Sequence, residues 1–570
     1  MKFLFKKIYI TFFLLFILLI NNTSLAKDKK NQYVRVDAAN YFLGIISANQ
    51  EFNHDAFKYL KEVQTLKQKH PKFNTEYTRT LVLLGKIKES FTFSKSIWKE
   101  EELLFETDIL LGLQSFIKKD YANAEKYFKR LNKISRQNLI FDDFVGNVLI
   151  AWVKASQGNK EESFKFIKKI PYPYRHIKNT QNIFLQCYFD STETQKSFEK
   201  IIEEKDYNFS RYSFFLVNYL LSTNKVKEAN IAIKQYRERY SSNLLIKQTE
   251  NFLLKKKINK ITKFFDCKNP KDSIAEFFYV IANLYASEQD FKLSNFYLKI
   301  SLFLNENFTS NKALLAENLF LQKKFKKSKN IYYDLKKIGT VYSWFASKNI
   351  SLILLNEKGK TYSVKALEKD FKKIENPDFE NYYELANFYK DNDLYEKAIK
   401  YYSLALSKIK KNHKLVSKIF YRRGISYERL GNWESAEKDL LESLKILPNQ
   451  AHVLNYLAYT WVDKRINLDK SLLMLKKATE MRKNDGYIID SLGWAYYAKK
   501  NYSKAEFFLQ KAVELMPSEP IINDHYADSL WMQNKNIQAR YIWNYVLKLD
   551  STEKKLKNII RKKIVFGITG

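Results

Sequence analysis

Glycine, proline and cysteine are scarce in this chain: its 570 residues include 13, 8 and 2 of them. So few helix breakers exclude a loop-rich or disordered polypeptide, and an aromatic content of 16% supplies the core of a helical one. Two cysteines in a chain of this length provide no disulfide framework. We expect Cys187 and Cys267 to be small buried apolar residues, with pairing in an oxidising compartment as the alternative.

The chain also lacks the residue patterns of catalytic and metal sites. None of its 6 histidines has the His-x-x-x-His spacing beside a glutamate that zinc enzymes use. Neither Gly-x-Ser-x-Gly nor Gly-x-Gly-x-x-Gly occurs, and there is no phosphate-binding loop. These absences predict a non-catalytic protein with no cofactor, no metal site and no small-molecule substrate.

Residues 1–26 have the pattern of a signal peptide. Three lysines among the first seven residues precede a mostly apolar run, Ile8–Ile20, which is shorter than the roughly 20 residues that span a bilayer. Ser24 and Ala26 suit a cleavage site, so we expect the mature chain to start at Lys27. The alternative is an uncleaved inner-membrane anchor. The nearest cysteine is at position 187, so we expect no lipid anchor.

The formal net charge of +36 has two interpretations. In a cytosolic protein it would suggest nucleic acid binding, but export argues against that partner. Most lysines occur singly or in pairs, as in "LQKKFKKSKN", which is typical of solvated helix faces. The alternative is that a basic surface contacts anionic membrane or polymer of the cell envelope.

A regular spacing of small residues and prolines marks the second half of the chain. Small residues of successive units lie 34, 35 and 34 residues apart, which is the period of tetratricopeptide repeats. Each unit is expected to be two antiparallel helices that approach closely at their small residues, with proline ending the second helix. The structural positions of these repeats are Gly424, Ala436, Pro448, Ala458, Gly493, Ala505, Pro517, Ala527 and Ala539.

The twelve-residue step between small residues recurs towards the amino terminus, for example at Gly112 and Ala124. The sequence therefore predicts an all-α, tetratricopeptide-type α-solenoid, a right-handed superhelix of antiparallel helix pairs. Candidate breaks occur at Cys267–Asp272 and Glu375–Asn381. The predicted organisation is a signal peptide at 1–26, divergent repeats at 27–270, middle repeats at 271–378, well-formed repeats at 379–556, and a basic tail at 557–570.

The first helix of each pair is expected to line the concave face, where a partner would bind. In the last repeats the residues of this helix that packing does not use combine carboxylates with aromatic rings, a mixture that can hold a peptide or helix. The alternative is that the tryptophans pack between neighbouring first helices and the aspartates cap or solvate them. The predicted groove residues are Asn455, Tyr459, Asp490, Trp494, Tyr497, Asp524, Asp528 and Trp531.

The segments "LNYLAYT", "DSLGWAYY", "DHYADSLW" and "QARYIW", all within residues 454–543, resemble the carboxy-terminal repeats of exported bacterial tetratricopeptide proteins. More narrowly, they are similar to envelope adaptors that deliver substrates to carboxyl-terminal processing proteases. The resemblance implies a non-catalytic scaffold in the periplasm of a Gram-negative bacterium that binds an envelope protein or peptide. Those adaptors are typically lipoproteins, and this chain departs from them because it has no lipidation cysteine. The alternative function is a structural envelope component that binds anionic membrane or polymer.

Overall fold

A computed structural model defines the architecture of most of the chain. The predicted signal peptide and the expected mature start, Lys27, lie outside the described residues. Within the described part, the regular structure consists of 31 α-helices and two short 3-10 helices, with no strand. This confirms the prediction of an all-α, tetratricopeptide-type solenoid fold. The described residues are 35–68, 70–135, 144–204, 210–239 and 243–568.

Contacts between residues divide the chain into two compact units, Met1–Asp370 and Phe371–Gly570. The division lies near the second of the two candidate breaks. In unit 1 the short 3-10 helices are Gln64–Gln68 and Tyr172–Tyr174. The α-helices of unit 1 are α1 Arg35–Asn49, α2 Asn53–Glu62, α3 Pro71–Leu83, α4 Ile87–Ile97, α5 Phe105–Ile117, α6 Tyr121–Ser135, α7 Phe144–Ser156, α8 Lys160–Lys168, α9 Arg175–Tyr188, α10 Thr194–Glu203, α11 Tyr212–Ser222, α12 Val226–Arg239, α13 Leu244–Leu254, α14 Ile258–Thr262, α15 Pro270–Ser287, α16 Phe291–Leu304, α17 Thr309–Leu321, α18 Phe325–Leu335, α19 Thr340–Lys358 and α20 Lys360–Phe371.

Unit 2 is a regular series of helix pairs followed by one further helix. Its last helix contains residues that the sequence analysis placed in a basic tail, and the expected boundary at residue 556 falls inside it. The helices are α21 Phe379–Lys390, α22 Tyr395–Lys408, α23 Val416–Arg429, α24 Trp433–Ile446, α25 Ala451–Asp463, α26 Leu468–Met481, α27 Gly486–Ala498, α28 Tyr502–Leu515, α29 Pro520–Trp531, α30 Asn536–Lys548 and α31 Lys554–Phe566.

The small residues of unit 2 lie where the two helices of a pair approach most closely. A Cβ atom added to Gly493 in α27 would lie 2.6 Å from Leu509 Cγ and 3.1 Å from the Leu509 backbone nitrogen in α28. At Gly424 an added Cβ would lie 3.2 Å from the carbonyl oxygen of Ala436. Real Cβ atoms rarely approach so closely, so only a very small side chain fits at these crossings.

The same packing continues into unit 1, where serine replaces alanine in several pairs. The Ser328 hydroxyl donates to the carbonyl oxygen of Ala316, twelve residues earlier, at 2.8 Å, and Ser363 donates in the same way to Ser351 at 2.5 Å. Buried hydroxyls need a hydrogen-bond partner, and the carbonyl of the facing helix provides it. The twelve-residue step therefore survives although the residue types change.

Left-handed residues make the short turns within the helix pairs. Gly431 has a φ of 78°, but Lys500 and Asn534 occupy equivalent positions with φ of 60° and 62°. Many turns thus accept a non-glycine residue, which explains how so many turns exist with so few glycines. Asn432 and Asn501 then cap the second helices by accepting hydrogen bonds from the Ser435 and Lys504 backbone nitrogens.

Two prolines follow second helices in unit 2. Helix α24 ends at Ile446 and helix α28 at Leu515, and Pro448 and Pro517 each lie two residues beyond these ends. Proline lacks a backbone N–H and clashes with the preceding turn, so it cannot continue either helix. Across the described ranges, from residue 35 to 568, we find no helix with the length and apolar character needed to cross a membrane.

The two cysteines correct an expectation. Cys187 in α9 and Cys267, just before α15, form a disulfide with a Cα–Cα distance of 5.9 Å. The prediction that they are merely small apolar residues was wrong, although both are also buried. The bond closes a loop with a sequence separation of 80. A loop of this length corresponds to about 4 kcal/mol of stabilisation in the chain-entropy description.

Unit 1 brings its first helices back against much later ones. Helix α3 contacts helix α16, and the Nζ of Lys292 lies 2.8 Å from Glu76 Oε2. Lys324, just before α18, pairs with Glu51 in the turn between α1 and α2 at 2.9 Å. These contacts join residues more than 200 positions apart and form a seam inside unit 1.

Candidate functional site

The predicted groove residues lie on three successive first helices of unit 2. Helices α25, α27 and α29 contact one another in turn, as expected for helices that line one face of a repeat array. Asn455 and Tyr459 belong to α25, and Asp490, Trp494 and Tyr497 to α27. The remaining three, Asp524, Asp528 and Trp531, belong to α29.

His525 connects two of these helices, and sequence analysis did not single it out for this face. Its Nδ1 lies 3.0 Å and 3.1 Å from the two carboxylate oxygens of Asp490, and both side chains are buried. The indole of Trp494 stacks on the His525 imidazole with a centroid distance of 4.0 Å. Trp494 also stacks on Tyr497, with a centroid distance of 4.5 Å. Asp490, Trp494 and Tyr497 thus form one cluster around His525.

The protonation of His525 depends on the carboxylates around it. Burial acts to lower the pKa of His525, but the charge and hydrogen bond of Asp490 outweigh it, and Asp524 and Asp528 add to them. The net effect raises the pKa of His525 above its ordinary value. The cluster therefore favours a cationic imidazole beneath the Trp494 ring.

Asp524 and Asp528 form ion pairs with a lysine from the last helix of unit 2. The Nζ of Lys563 in α31 lies 2.8 Å and 2.9 Å from the oxygens of Asp524 and 2.8 Å from both oxygens of Asp528. The indole nitrogen of Trp543 also donates to Asp528 at 3.2 Å. Burial, with the charge of Asp524, raises the pKa of Asp528 to about 6, although Lys563 opposes the shift. Much of the acidic character of this face is thus neutralised within the chain.

Trp531 is covered from the same side. A Cβ on Gly567, immediately after α31, would clash with the Trp531 indole, so the chain passes directly over this ring. The Arg540 guanidinium lies 4.9 Å from the Trp531 ring centroid, and Trp543 lies 5.5 Å away in a tilted arrangement. At this end of unit 2, Trp531, Asp524 and Asp528 all contact the last helix or the residue that follows it.

Asn455 and Tyr459 are the two predicted groove residues on helix α25. Asn455 is half-buried and its Oδ1 has no hydrogen-bond partner. Tyr459 is also half-buried, and burial, with the nearby charges of Asp490 and Asp463, raises the pKa of its hydroxyl. A buried amide oxygen without a partner costs free energy, and this oxygen has almost no accessible surface.

Unit 1 contains a cavity of about 690 Å³ that sequence analysis missed. On its wall Arg211 makes a two-pronged ion pair with Glu276, at 2.8 Å and 2.6 Å, and its guanidinium lies 3.9 Å from the Tyr279 ring centroid. Glu317 also lines the cavity, and burial raises the pKa of its carboxyl. No local signal could have found the pair, since Arg211 and Glu276 are 65 residues apart.

The described segments contain no group of three or more histidine, cysteine, aspartate or glutamate side chains placed to hold a metal ion.

Helix pairs with a twelve-residue small-to-small step and a face of stacked first helices define a tandem helical-repeat protein. The comparisons with known proteins agree: residues 379–407 and 488–519 each match a tetratricopeptide repeat family model. Because these segments coincide with α21–α22 and α27–α28, the chain contains tetratricopeptide repeats of the kind that form protein-interaction scaffolds.

Relatives are similar over limited lengths or at low identity. The TPR repeat-containing protein PA4667 of Pseudomonas aeruginosa is 28% identical over 103 residues, and the chain spans 18% of the length of that relative and 18% of its own. Yeast Tom70 is 16% identical with a TM-score of 0.33 over 80% of this chain and 96% of that one. A tetratricopeptide repeat protein from Parabacteroides merdae is 20% identical with a TM-score of 0.34 over 39% and 85%.

Proposed function

We propose that the protein is a non-catalytic scaffold, exported to the periplasm of a Gram-negative bacterium, that binds another envelope protein or peptide on the first-helix face of unit 2. The observation that carries the proposal is the cluster of Asp490, Trp494 and His525, in which the Trp494 and His525 rings stack and the imidazole pairs with Asp490. Such surfaces combine an aromatic anchor with charge-assisted hydrogen bonding.

The internal pairing of charged residues limits the chemistry that we propose for this partner. Asp524 and Asp528 already pair with Lys563, so a cationic partner must displace Lys563 to reach them. Within the described residues, no lysine pairs with Asn455 or Tyr459 in this way. We therefore place the anchor of the partner against α25 and α27, where the half-buried rings of Tyr459 and Trp494 offer aromatic surface.

Two observations support an envelope location. The signal-like segment at residues 1–26 is one, and the disulfide between Cys187 and Cys267 is the other, because such bonds persist mainly in oxidising compartments. The resemblance within residues 454–543 favours a role as an adaptor for a carboxyl-terminal processing protease. Neither the envelope location nor the adaptor role follows from the repeats alone.

Crosslinking in intact cells tests the proposal. After fractionation, the protein is expected in the periplasmic fraction, and mass spectrometry of crosslinked material should identify a discrete envelope protein. Recovery of the protein in the cytosol would contradict export. If no protein partner is recovered and about 0.5 M salt releases the protein from anionic liposomes, the alternative of a basic structural component that binds anionic membrane or polymer is favoured.

A further inference from the structure

The seam inside unit 1 encloses a basic cavity. A space of about 260 Å³ lies between the turn that precedes α2, the end of α3, and helices α16, α17 and α18. It is bordered by the "KKFKK" run at residues 323–327, which sequence analysis interpreted as a solvated helix face. Its polar lining includes Lys299, Lys324, Lys327, Asn53, His54 and Glu51.

Only one of the three lysines has a carboxylate partner. Lys324 Nζ lies 2.9 Å from Glu51 Oε2, and Gln322 Nε2 also donates to both Glu51 oxygens, at 2.7 Å and 2.9 Å. Glu51 is therefore already engaged. Lys299 and Lys327 make no ion pair with any residue of the described chain, so three lysines face a single glutamate and two positive charges are left over.

The surroundings of Lys299 and Lys327 oppose those charges. Burial lowers the pKa of Lys299, and repulsion from Lys327 lowers it further. Burial also lowers the pKa of Lys327. Repulsion from Lys324 lowers this pKa further, while the charge of Glu51 raises it. Lys299 is half-buried and Lys327 is exposed, so an anion between them would compensate the partly desolvated charge of Lys299.

A neutral side chain on the same wall is also incomplete. Asn53, the first residue of α2, is 9% exposed, and its Oδ1 has no hydrogen-bond partner. Beside Asn53, the exposed His54 places an imidazole N–H donor on the same wall.

We propose that this cavity binds a small dianion of the phosphate class, held by the ammonium groups of Lys299 and Lys327 beside the imidazole of His54. Two leftover positive charges match a dianion better than a monoanion. The volume is several times the roughly 30 Å³ that one water molecule occupies, which leaves room for a short organic group on the phosphate. Because the ligand would contact α2, α16 and α18, its binding fastens the amino-terminal helices to the later ones and stabilises unit 1.

The test uses the full mature chain in chloride buffer at constant ionic strength. Inorganic phosphate and glycerol 3-phosphate are titrated by calorimetry and by thermal melting. The expected result is saturable binding with a rise in melting temperature. In the double variant Lys299→Met/Lys327→Met, affinity should fall by at least tenfold, since each charge-assisted hydrogen bond contributes more than about 1.5 kcal/mol. The double variant Lys200→Met/Lys365→Met removes the same charge from exposed positions and should bind as the wild type does.

A second measurement distinguishes a loss of phosphate binding from a failure of the variant to fold. Without phosphate, the Lys299→Met/Lys327→Met protein should melt at or above the temperature of the wild type, because the mutual repulsion is removed. Broadening of the ³¹P resonance of phosphate by the wild-type protein should be lost on competition with sulfate. The proposal is overturned if the wild type shows no saturable phosphate binding, if the cavity variant binds as tightly as the wild type, or if only phosphatidylglycerol vesicles bind and free phosphates do not.

Discussion

The Nζ of Lys563 lies 2.8 Å from Oδ1 of Asp528, inside the face of unit 2 that the repeat pattern assigns to a partner. The same nitrogen reaches Asp524, so α31 supplies the counter-charge for two buried carboxylates of α29. The last helix therefore completes unit 2 by electrostatics as well as by apolar packing. It also limits where a cationic partner can bind.

Replacing Lys563 with methionine should destabilise the end of unit 2. The substitution leaves two buried carboxylates without their cation, and breaking such a pair from one side costs about 3 kcal/mol. Hydrogen exchange should show faster opening of α29–α31, with little change in α21–α24. Lys562→Met is the control, because Lys562 is exposed on the same helix. Equal exchange rates in the two variants would show that the ion pairs contribute nothing.

The stability of unit 2 should depend on the protonation of Asp528. Its folded pKa of about 6 exceeds the unfolded value of about 3.9, so the folded state binds this proton first as pH falls. The contribution of this group to the free energy of unfolding therefore grows from pH 7.5 to pH 5 and is lost as pH rises through 6, by at most about 1.4 kcal/mol per pH unit.

Melting curves of the wild type and Asp528→Asn, compared from pH 7.5 to 5, measure this contribution. The wild type should gain stability relative to the variant as pH falls, since asparagine cannot titrate. Asp550→Asn, at an exposed position, should give a difference that does not change with pH. A constant difference for Asp528→Asn as well would refute the raised pKa.

Gly493 should not tolerate a larger side chain. A Cβ at this position already meets the Leu509 side chain and backbone, so Gly493→Leu forces α27 and α28 apart at a cost of about 3 kcal/mol. Thermal melting, with proteolysis to locate the loosened repeat, checks this prediction. Ser503→Leu adds the same bulk at an exposed position of α28 and should leave the melting temperature nearly unchanged. Similar curves for the two variants would contradict the close crossing.

Reduction should weaken unit 1 selectively. The Cys187–Cys267 bond closes a long loop, and its loss should lower the free energy of unfolding of unit 1 by about 4 kcal/mol. Chemical denaturation with and without reductant measures this loss. The Cys187→Ser/Cys267→Ser variant should have the same free energy of unfolding as the reduced wild type. Its free energy of unfolding should not change when reductant is added. Two titratable thiols in the unfolded, unreduced protein would show that the bond does not form.

Local spacing was sufficient to predict the repeat architecture. The sequence separation of Gly493 and Ala505 reflects a steric requirement within one helix pair. Such a requirement can be recognised from residues that are close in sequence. The same reasoning placed Asp490 and Trp494 on one helix face because they are four residues apart. Whether these residues bind a partner stays a prediction.

Pairings between distant residues were not predictable in the same way. Lys563 and Asp528, Arg211 and Glu276, and the two cysteines are 35, 65 and 80 residues apart, and no periodic signal links them. Two apolar, buried cysteines look alike in a sequence whether or not they are joined. The seam inside unit 1 was not predictable either, because the chain has many lysines. The lysines at 323–327 differ from other exposed lysines only in what packs against them.

Site-specific photo-crosslinking in intact cells tests the central claim most directly. A photo-reactive phenylalanine derivative replaces Tyr459 on the first-helix face, and in a matched strain it replaces Tyr541, which is 74% exposed on the second helix α30. Our account predicts a discrete protein adduct from position 459 that is absent from position 541. Equal labelling at both positions, or adducts from position 541 alone, would contradict it.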